Sequence, residues 1–341
     1  MSWSNTLRKD WYKLINANIN EEEIVKAVNI VNSISEYYGS RIVGQTNLKM
    51  SLLISLIANG HILIESVPGL AKTTAAKVVT DAVNGKFARI QCTPDLLPSD
   101  IMGSQIFNYT TNTFETKLGP IYANFVLLDE INRSSAKTQS AMLEAMQEHQ
   151  TTIGGETYKL PDVFIAIATQ NPIEQEGTYV LSEAQLDRFI IKEKLDYPTI
   201  PEEVEVLNRI ENNVFSSSEP ILSLDDVRYL QNLSKRVYIN DSIKNYIVNI
   251  IYATRYTNKS LPPELAKYVV MGASTRGAIS FMQASKALAM MRGRAYVIPE
   301  DVKDLRYSIL RHRVALNYSA VADGVSVEQI IDAIINNVRT P

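Results

Sequence analysis

The sequence predicts an α/β fold, in which a parallel sheet carries helices on both faces and β-hairpin inserts and is followed by a smaller all-helical domain. Short apolar runs alternate with helical segments between Ile62 and Ile191, a pattern typical of parallel sheets covered by helices. The strand signal stops after Tyr197-Pro198, and helical periodicity continues from there. The predicted domains are an N-terminal arm at 1–20, the α/β domain at 21–197, a linker at 198–220 and the helical domain at 221–341.

The composition is that of an ordinary globular protein. The chain has 341 residues, of which 45% are apolar, a length that suits two domains. Its net charge of −3 lacks the basic excess that non-specific nucleic-acid binding requires, so no nucleic-acid partner is expected. No targeting signal is visible at the start, and the most apolar run, Met50–Ile64, is too short to span a membrane. We expect a cytoplasmic protein, with its single cysteine, Cys92, buried in a strand.

Local patterns predict the elements of the first domain. Helical spacing predicts one helix from Glu21 to about Tyr38, capped by Asn20, and a second that includes Leu48 and Ile57. The sheet strands are predicted at Ile62–Glu65, Arg89–Cys92, Phe125–Asp129, Val163–Thr169 and Ile190–Lys192. Two further segments, Gln105–Glu115 and Thr151–Leu160, have strand-like residues around a turn and predict β-hairpins.

Capping residues predict the helices of the second domain. Asp241, Ser274 or Thr275, and Pro299 each suit a helix start. Ser326 and Gln329 form a capping box before another apolar helical pattern. Pro198, Pro201 and the 216–220 segment indicate connections instead.

The stretch Ile62–Val79 carries the first functional signal. It predicts a buried strand, a turn rich in glycine and proline, and a helix beginning at Lys72. Such a turn directs backbone N–H groups and the positive end of the helix dipole at one point, which suits a phosphate. Lys72 would then contact the terminal phosphates, and Thr73 would bind Mg²⁺. The alternative is an ordinary turn whose lysine faces water.

This turn departs from the usual pattern G-x-x-x-x-G-K-[ST]. Ser66 and Ala71 stand at the two glycine positions, while Gly69 supplies backbone freedom. Ala71 lies at the helix start, where a methyl group is expected to fit, so Ser66 is interpreted as the real departure. The residues expected to contact the phosphates are Val67, Pro68, Gly69, Leu70, Ala71, Lys72, Thr73 and Thr74.

Polar side chains follow two other predicted strands. Asp129 and Glu130 end an apolar strand, where Asp129 would hold Mg²⁺ through its water shell and Glu130 would polarise the attacking water. Asn171 follows the next strand and would hydrogen-bond this water and the γ-phosphate. A pair of solvated acids and a plain Asn-Pro turn are the alternatives.

Two arginines complete the candidate catalytic set. Arg188 follows a short helix that begins at Ser182 and would reach a neighbouring subunit's nucleotide. Its alternative is a local ion pair with Asp187 or Glu183. Arg276 opens the longest helix of the second domain and would close over the phosphates, or else be a solvated first-turn arginine.

In this order, these residues resemble an AAA+ ATPase, and the connecting segments closely resemble the MoxR family from about Ile42 to Pro198. The matching segments are Arg89-Ile90-Gln91, 93–100, Gly119-Pro120-Ile121, 129–133, 169–179 and 183–189. The family has glycine where this chain has Ser66, whereas alanine at position 71 is common in the family.

The resemblance implies an αβα P-loop nucleotide domain with a helical lid, hexameric rings, and ATP with Mg²⁺ bound between subunits. It also implies nucleotide contacts by Val43 and Gly44, and leaves open whether Arg276 serves its own or an adjacent subunit. Relatives are chaperone-like and mature partner proteins, often ones with von Willebrand factor A domains. The hairpin at Gln105–Glu115 corresponds to an insert in helix 2 of this clade.

Three hypotheses follow. The first is a ring-forming ATPase that remodels a client protein. The second, motivated by Ser66, is a nucleotide-binding scaffold with weak or no hydrolysis. The third is a DNA-translocating relative of the replicative helicases, which shares the hairpin inserts but is disfavoured because a basic excess is absent.

Overall fold

A computed structural model describes residues 19–67, 69–172, 178–212 and 219–341. The predicted N-terminal arm, apart from Ile19 and Asn20, lies outside the described residues. The chain divides into two compact units: Ser33–Val227, which we call the sheet unit, and Met1–Asn32 with Arg228–Pro341, which we call the helical unit. These limits differ from the predicted domain boundaries at 20, 197 and 220.

The sheet unit is built on a five-stranded parallel sheet with the strand order β2-β5-β8-β1-β9. The described strands are β1 Ile62–Glu65, β2 Phe87–Gln91, β3 Gly103–Asn108, β4 Thr113–Leu118, β5 Phe125–Asp129, β6 Gln150–Ile153, β7 Glu156–Lys159, β8 Ile165–Gln170, β9 Ile191–Lys194, β10 Val269–Met271 and β11 Ala315–Leu316. The parallel sheet confirms the predicted fold class. β2 begins at Phe87, two residues before the predicted start, because it pairs residue for residue with β5.

Helices precede, separate and follow these strands. The described helices are α1 Glu21–Gly39, α2 Thr46–Ile57, α3 Lys72–Ala82, α4 Pro98–Met102, α5 Ala136–Glu148, α6 Glu183–Leu186, α7 Ile200–Glu211, α8 Leu224–Arg236, α9 Asp241–Arg255, α10 Thr257–Ser260, α11 Pro263–Ala266, α12 Thr275–Met291, α13 Pro299–Asp304, α14 Arg306–Leu310, α15 Tyr318–Ala322 and α16 Val327–Asn337. Among the described residues, no helix is both long and apolar enough to cross a membrane.

Both predicted hairpins are present as antiparallel pairs, β3 with β4 and β6 with β7. The first hairpin presents apolar side chains to solvent, and Tyr109 is 89% exposed. The capping box at Ser326 is also present, because Ser326 and Gln329 exchange hydrogen bonds between side chain and backbone.

Three expectations for the second half of the chain need correction. The predicted linker contains α7, because Thr199 and Glu202 form a capping box that starts a helix there. The predicted all-helical domain is helical except for a short antiparallel pair, β10 with β11. The cap of α9 is Asn240 and not Asp241, because the Asn240 side chain accepts a hydrogen bond from the N–H of Ser242.

One apolar core lies between the sheet and α5. β5 is buried along its whole length, and Met142, Leu143 and Met146 of α5 share a buried cluster with Val126 and Leu128. Cys92 belongs to this cluster, which confirms its predicted burial, but it lies one residue beyond the end of β2 and not in the strand. Burial raises the pKa of its thiol to about 12. The packed core holds the sheet rigid, so the strand ends are fixed relative to one another.

Candidate functional site

The sheet brings the three predicted polar strand ends to one edge. β8 lies between β5 and β1, with Leu128 opposite Ala168 and Glu65 opposite Gln170. All three strands run parallel, so the turn after β1, the acids after β5 and Asn171 after β8 leave the same edge of the sheet. Asn171 is buried there, with 5% of its surface exposed.

The turn after β1 ends in a left-handed residue at the start of α3. Gly69 has φ +87°, and a Cβ at this position would meet open space. Ala71 has φ +53° and ψ +25°, a conformation that an L-residue other than glycine adopts at a cost. Lys72 lies across the turn, where its Nζ donates to the carbonyl of Ser66 at 3.4 Å. Pro68 lies outside the described residues.

Ser66 fits its place without left-handed backbone. It is 2% exposed, its N–H donates to the carbonyl of Gln170 at 3.1 Å, and its hydroxyl donates to the carbonyl of Val67 at 3.0 Å. Its φ is not positive, whereas that of Ala71 is. Ser66 therefore departs from the usual pattern in residue type but not in backbone conformation, whereas Ala71 has the left-handed backbone.

A partly buried ion pair stabilises the strand end just before this turn. Lys192 Nζ lies 2.7 Å from Glu65 Oε2, and the amide of Gln170 donates to the same oxygen at 2.6 Å. Burial raises the pKa of Glu65, but the charge of Lys192 and these hydrogen bonds lower it more, so the pKa lies below its ordinary value. Glu65 therefore stays ionised and joins β9, β1 and β8.

Asp129 is buried and both of its carboxylate oxygens are engaged. The hydroxyl of Thr169 donates to Oδ1 at 2.7 Å. Arg89 donates to Oδ2 from Nη2 at 2.6 Å and from Nε at 3.2 Å. The carboxylate is therefore held from β8 on one side and from β2 on the other.

Glu130 is held in an unusual backbone conformation, with φ +56°. Its N–H donates to the Thr169 hydroxyl at 2.9 Å. Its carboxylate oxygen Oε2 accepts from the Gln91 amide at 3.3 Å and lies 3.0 Å from Arg133 Nε. Glu130 thus directly follows Asp129 at the end of β5, and its carboxylate is held by two residues of the sheet unit.

The sequence reasoning assigned no role to Thr169, Arg89 and Gln91, although all three fall in the segments that match the family. A sequence signal for these residues existed, because each is a polar residue at or near one terminus of a predicted strand. Their partners lie 39 or 40 positions away in the chain. Only strand pairing shows which partner each one meets.

A cavity of about 650 Å³ opens beside the turn. Its lining includes the predicted contact residues Val43, Gly69, Leu70, Ala71 and Thr74, together with α7 residues such as Leu207. Its lining does not include four other predicted contact residues, Gly44, Val67, Lys72 and Thr73. Gly44 has φ +64°, and a Cβ there would overlap the Glu202 carboxylate.

Gln45 connects this cavity to the turn. Its amide Nε2 donates to the carbonyl of Leu70 at 3.0 Å. Its Oε1 is buried and has no hydrogen-bond partner among the described residues. Gln45 also belongs to the lining of the cavity.

The two arginines lie in different units. Arg188, in the sheet unit, has a buried Nε without a hydrogen-bond partner among the described residues. An ion pair with Asp187 or Glu183 therefore does not satisfy this atom. Arg276 lies in the helical unit at the first turn of α12, where its N–H donates to the Ser274 hydroxyl at 3.0 Å. The structure does not bring Arg276 together with the turn inside one unit.

The predicted Mg²⁺ ligands are Thr73, in the first turn of α3, and Asp129. In the part of the chain that the structure describes, no group of three His, Cys, Asp or Glu side chains is placed to hold a metal ion. A divalent ion here would need further oxygen ligands from phosphates and water, which is how Mg²⁺ is usually bound beside a nucleotide. The donor set of one hydroxyl and one carboxylate fits that arrangement.

Comparison with known proteins identifies the relatives of this chain. The family model described as "ATPase family associated with various cellular activities (AAA)" matches residues 61–191, and the model described as "AAA lid domain" matches residues 265–334. The chain is 43% identical to Chaperone MoxR1 of Mycobacterium tuberculosis over 300 residues, covering 88% of this chain and 79% of that protein. It is 43% identical to the uncharacterized protein YeaC of Bacillus subtilis over 307 residues, covering 90% and 93%.

A solved structure agrees with these sequence matches. The crystal structure of a candidate ATPase from Cytophaga hutchinsonii superimposes with a TM-score of 0.88 at 45% sequence identity. The match covers 94% of this chain and 98% of that one. Such a likeness, at this identity and coverage, extends to both the sheet and the helices.

Proposed function

This chain belongs to the MoxR family of AAA+ ATPases, and on that premise we propose that it binds ATP with Mg²⁺ and hydrolyses it to remodel or mature a partner protein. We further propose that it works as a ring, with hexamers as the expected form, in which ATP lies between subunits. Chaperone MoxR1 is named for a chaperone role, and this proposal extends such a role to the present chain.

One observation carries the proposal. The turn after β1, the acids Asp129 and Glu130, and Asn171 leave one edge of a single rigid sheet. Phosphoryl transfer requires that the negative charge of the phosphates is neutralised and that a water is held in line with the leaving group. Both requirements need several protein groups close to one point. The shared edge supplies that convergence.

The residues of this edge support specific roles. Lys72 now donates to the Ser66 carbonyl at 3.4 Å, a long hydrogen bond that a shorter one to a negatively charged phosphate oxygen would replace. Bound Mg²⁺ would neutralise charge on the phosphates, with Thr73 and Asp129 as its protein ligands. Glu130 would accept a proton from the attacking water, and Asn171 would orient that water.

The cavity supports a nucleotide rather than a bare phosphate. Its volume of about 650 Å³ lies in the range of small-molecule and cofactor sites. Val43 and Leu70 supply apolar walls, and Gln45 adds a polar side chain to the lining. Contact by Gly44, by contrast, finds no support in the cavity lining.

The hypothesis of a nucleotide-binding scaffold was based on Ser66. The side chain of Ser66 is turned to the Val67 carbonyl and its backbone does not need glycine. The backbone at position 66 gives no reason for weak hydrolysis, although the family has glycine there, and we propose an active ATPase.

We also propose that Arg188 acts on the nucleotide of a neighbouring subunit. Its Nε has no hydrogen-bond partner among the described residues, so this nitrogen is not committed to a partner in that part of its own chain. An arginine that reaches the nucleotide from a neighbouring subunit typically accelerates phosphoryl transfer by about 10³–10⁵-fold.

A mixing experiment tests hydrolysis and the trans arginine together. Glu130→Gln is expected to bind ATP and release no phosphate. Arg188→Ala is expected to be inactive, because no subunit then contributes an arginine to its neighbour's nucleotide. Mixed in equal amounts, the two variants should recover turnover on the order of a quarter of wild type, because a quarter of the sites would pair an intact Glu130 with a neighbour's Arg188.

Two results would contradict this account. Full activity of Arg188→Ala alone would remove the trans role, and an absence of ATP binding by the wild type would remove the ATPase proposal. Lys194→Gln, a change of an exposed basic residue at the end of β9, serves as the control for loss of one positive charge.

We propose that the client is a protein. The proposal also includes a partner with a von Willebrand factor A domain, and a cytoplasmic location for this chain. Glu130→Gln should hold ATP longest and should therefore retain the client best during affinity capture. A nucleic-acid substrate is not proposed, since the chain carries a net charge of −3.

A further inference from the structure

The two oxygens of the Asp129 carboxylate have very different partners. Oδ1 accepts from the hydroxyl of Thr169, which is fully buried. Oδ2 accepts from Arg89, whose side chain is 50% exposed while that of Asp129 is 11% exposed. The Thr169 hydroxyl is therefore enclosed by the core. The Arg89 side chain, by contrast, contacts Asp129 from the solvent side, and its guanidinium can shift into solvent.

A carboxylate as buried as Asp129 needs a positive partner. An ionised side chain removed from water without one is costly, so loss of the partner destabilises the folded protein. Arg89 provides that partner through Nη2 at 2.6 Å and Nε at 3.2 Å.

We propose that Arg89 is the counter-ion of Asp129 while the nucleotide site is empty, and that it competes with hydrated Mg²⁺ for Oδ2 when nucleotide binds. The inference rests on the proposed function, because it takes Asp129 as the residue that holds the metal. Mg²⁺ and the guanidinium are both cations, so each weakens the other's hold on one carboxylate. Arg89 is in this sense a positioning residue that sets the metal affinity.

Arg89 has a second anchor that it would keep after leaving Asp129. Its Nη2 also donates to Oε1 of Gln91 at 3.0 Å, on the same strand. The guanidinium can therefore shift toward Gln91 and solvent without losing all of its hydrogen bonds. Such a shift costs less than the removal of a buried group.

This arrangement predicts two effects of opposite sign for Arg89→Gln. The empty protein should lose thermal stability, because Asp129 loses its counter-ion. The Mg²⁺ concentration that half-saturates binding of a non-hydrolysable ATP analogue should fall on the order of tenfold, because a competing cation close to the metal has been removed. A purely structural role for Arg89 predicts lower stability without tighter Mg²⁺ binding.

The experiment measures analogue binding by calorimetry over a series of Mg²⁺ concentrations, and thermal unfolding of the nucleotide-free protein. Lys86→Gln is the matched control, because it removes one exposed positive charge just before β2, where Nζ donates to the Tyr122 carbonyl at 3.2 Å. The control should leave the Mg²⁺ dependence unchanged.

An unchanged or higher Mg²⁺ requirement in Arg89→Gln would overturn the inference. If that variant does not fold, Arg89→Lys decides the matter, since an ammonium keeps the charge but cannot form the two-nitrogen contact. It should lower the Mg²⁺ requirement by about threefold, and no change would overturn the inference. Failure of the wild type to bind the analogue at any Mg²⁺ concentration would instead overturn the proposed function and this inference with it.

Discussion

At the scale of single residues, the hydroxyl of Thr169 organises both acids of the site. It donates to Asp129 Oδ1 at 2.7 Å and accepts from the N–H of Glu130 at 2.9 Å. Glu130 has φ +56°, which costs a non-glycine residue about 1–2 kcal/mol. The hydrogen bond from its N–H helps to offset that cost, so Thr169 controls where Glu130 points.

Replacing Thr169 with valine keeps the shape and removes both hydrogen bonds. We expect Thr169→Val to lower the free energy of unfolding by about 1–3 kcal/mol, because polar groups of Asp129 and Glu130 lose a partner. Phosphate release should fall by at least about tenfold, since a misplaced base costs more than a kcal/mol of transition-state stabilisation. Urea denaturation and steady-state phosphate release measure the two effects.

Thr169→Ser is the matched control, because serine retains the hydroxyl and loses only a methyl group. It should keep most of the activity. Equal activities of the valine and serine variants would show that the hydroxyl does not position Glu130.

At the scale of elements, His61 joins one helix to two strands. It directly precedes β1, its Nε2 lies 3.0 Å from the carbonyl of Met146 in α5, and its Nδ1 accepts from the N–H of Ala166 in β8 at 3.1 Å. These contacts fix the neutral tautomer with the proton on Nε2. Burial lowers the pKa of His61 to about 4.

This lowered pKa makes stability depend on pH. Below pH 6.5 the unfolded chain takes up a proton at His61, while the folded protein does not until about pH 4. Stability is therefore lost as the pH falls through this window, by about 2 kcal/mol between pH 7 and pH 5 from this residue. Urea denaturation at the two pH values measures the loss.

His61→Gln should be less stable at pH 7 but should lose less stability on acidification than the wild type. His149→Asn is the control, because it removes the neighbouring ring, 6.1 Å away between centroids, and leaves His61 in place. An equal loss on acidification in wild type and His61→Gln would show that His61 is not responsible.

At the scale of the whole molecule, the helical unit is assembled from two distant parts of the chain. Arg236 in α8 pairs with Glu23 in α1 at 2.7 Å, and the Tyr229 hydroxyl donates to the carbonyl of Glu23 at 3.2 Å. Its interior contains the fully buried carboxylate of Asp301, which pairs with Arg292 and Arg294 and caps α13 through the N–H of Ile298. The unit should therefore unfold as one cooperative body.

We expect Asp301→Asn to destabilise the helical unit by about 3–5 kcal/mol, because two arginines are left without their buried partner. Hydrogen exchange followed by mass spectrometry should show faster exchange in peptides from 228–341 and also in those from 21–32. Peptides from β1, β5 and β8 in the sheet unit should be unchanged.

Asp304→Asn is the control, since this exposed carboxylate pairs with Arg292 at 2.6 Å and exposed pairs contribute about 0–1 kcal/mol. Unchanged exchange at 21–32 in Asp301→Asn would mean that the first helix does not unfold with the rest of the unit.

Much of the fold followed from local signals. Ile62–Glu65 and Phe125–Asp129 are strands with the predicted bounds, because an apolar run bounded by polar residues is a local property. The helix in 198–220 was missed because its proline lies in the first turn, where proline is tolerated. β10 and β11 were missed because they are short and pair across 40 or more residues.

The sequence by itself determined the α/β class, the turn between β1 and α3, and the strand ends at which Asp129 and Asn171 lie, because periodicity and turn residues act over a few neighbouring positions. Only the tertiary structure decided that Arg89 and Thr169 meet Asp129, that Ala71 rather than Ser66 carries the left-handed backbone, and that the first helix begins in the helical unit. The physical reason is that strand order and register arise from pairing between distant segments.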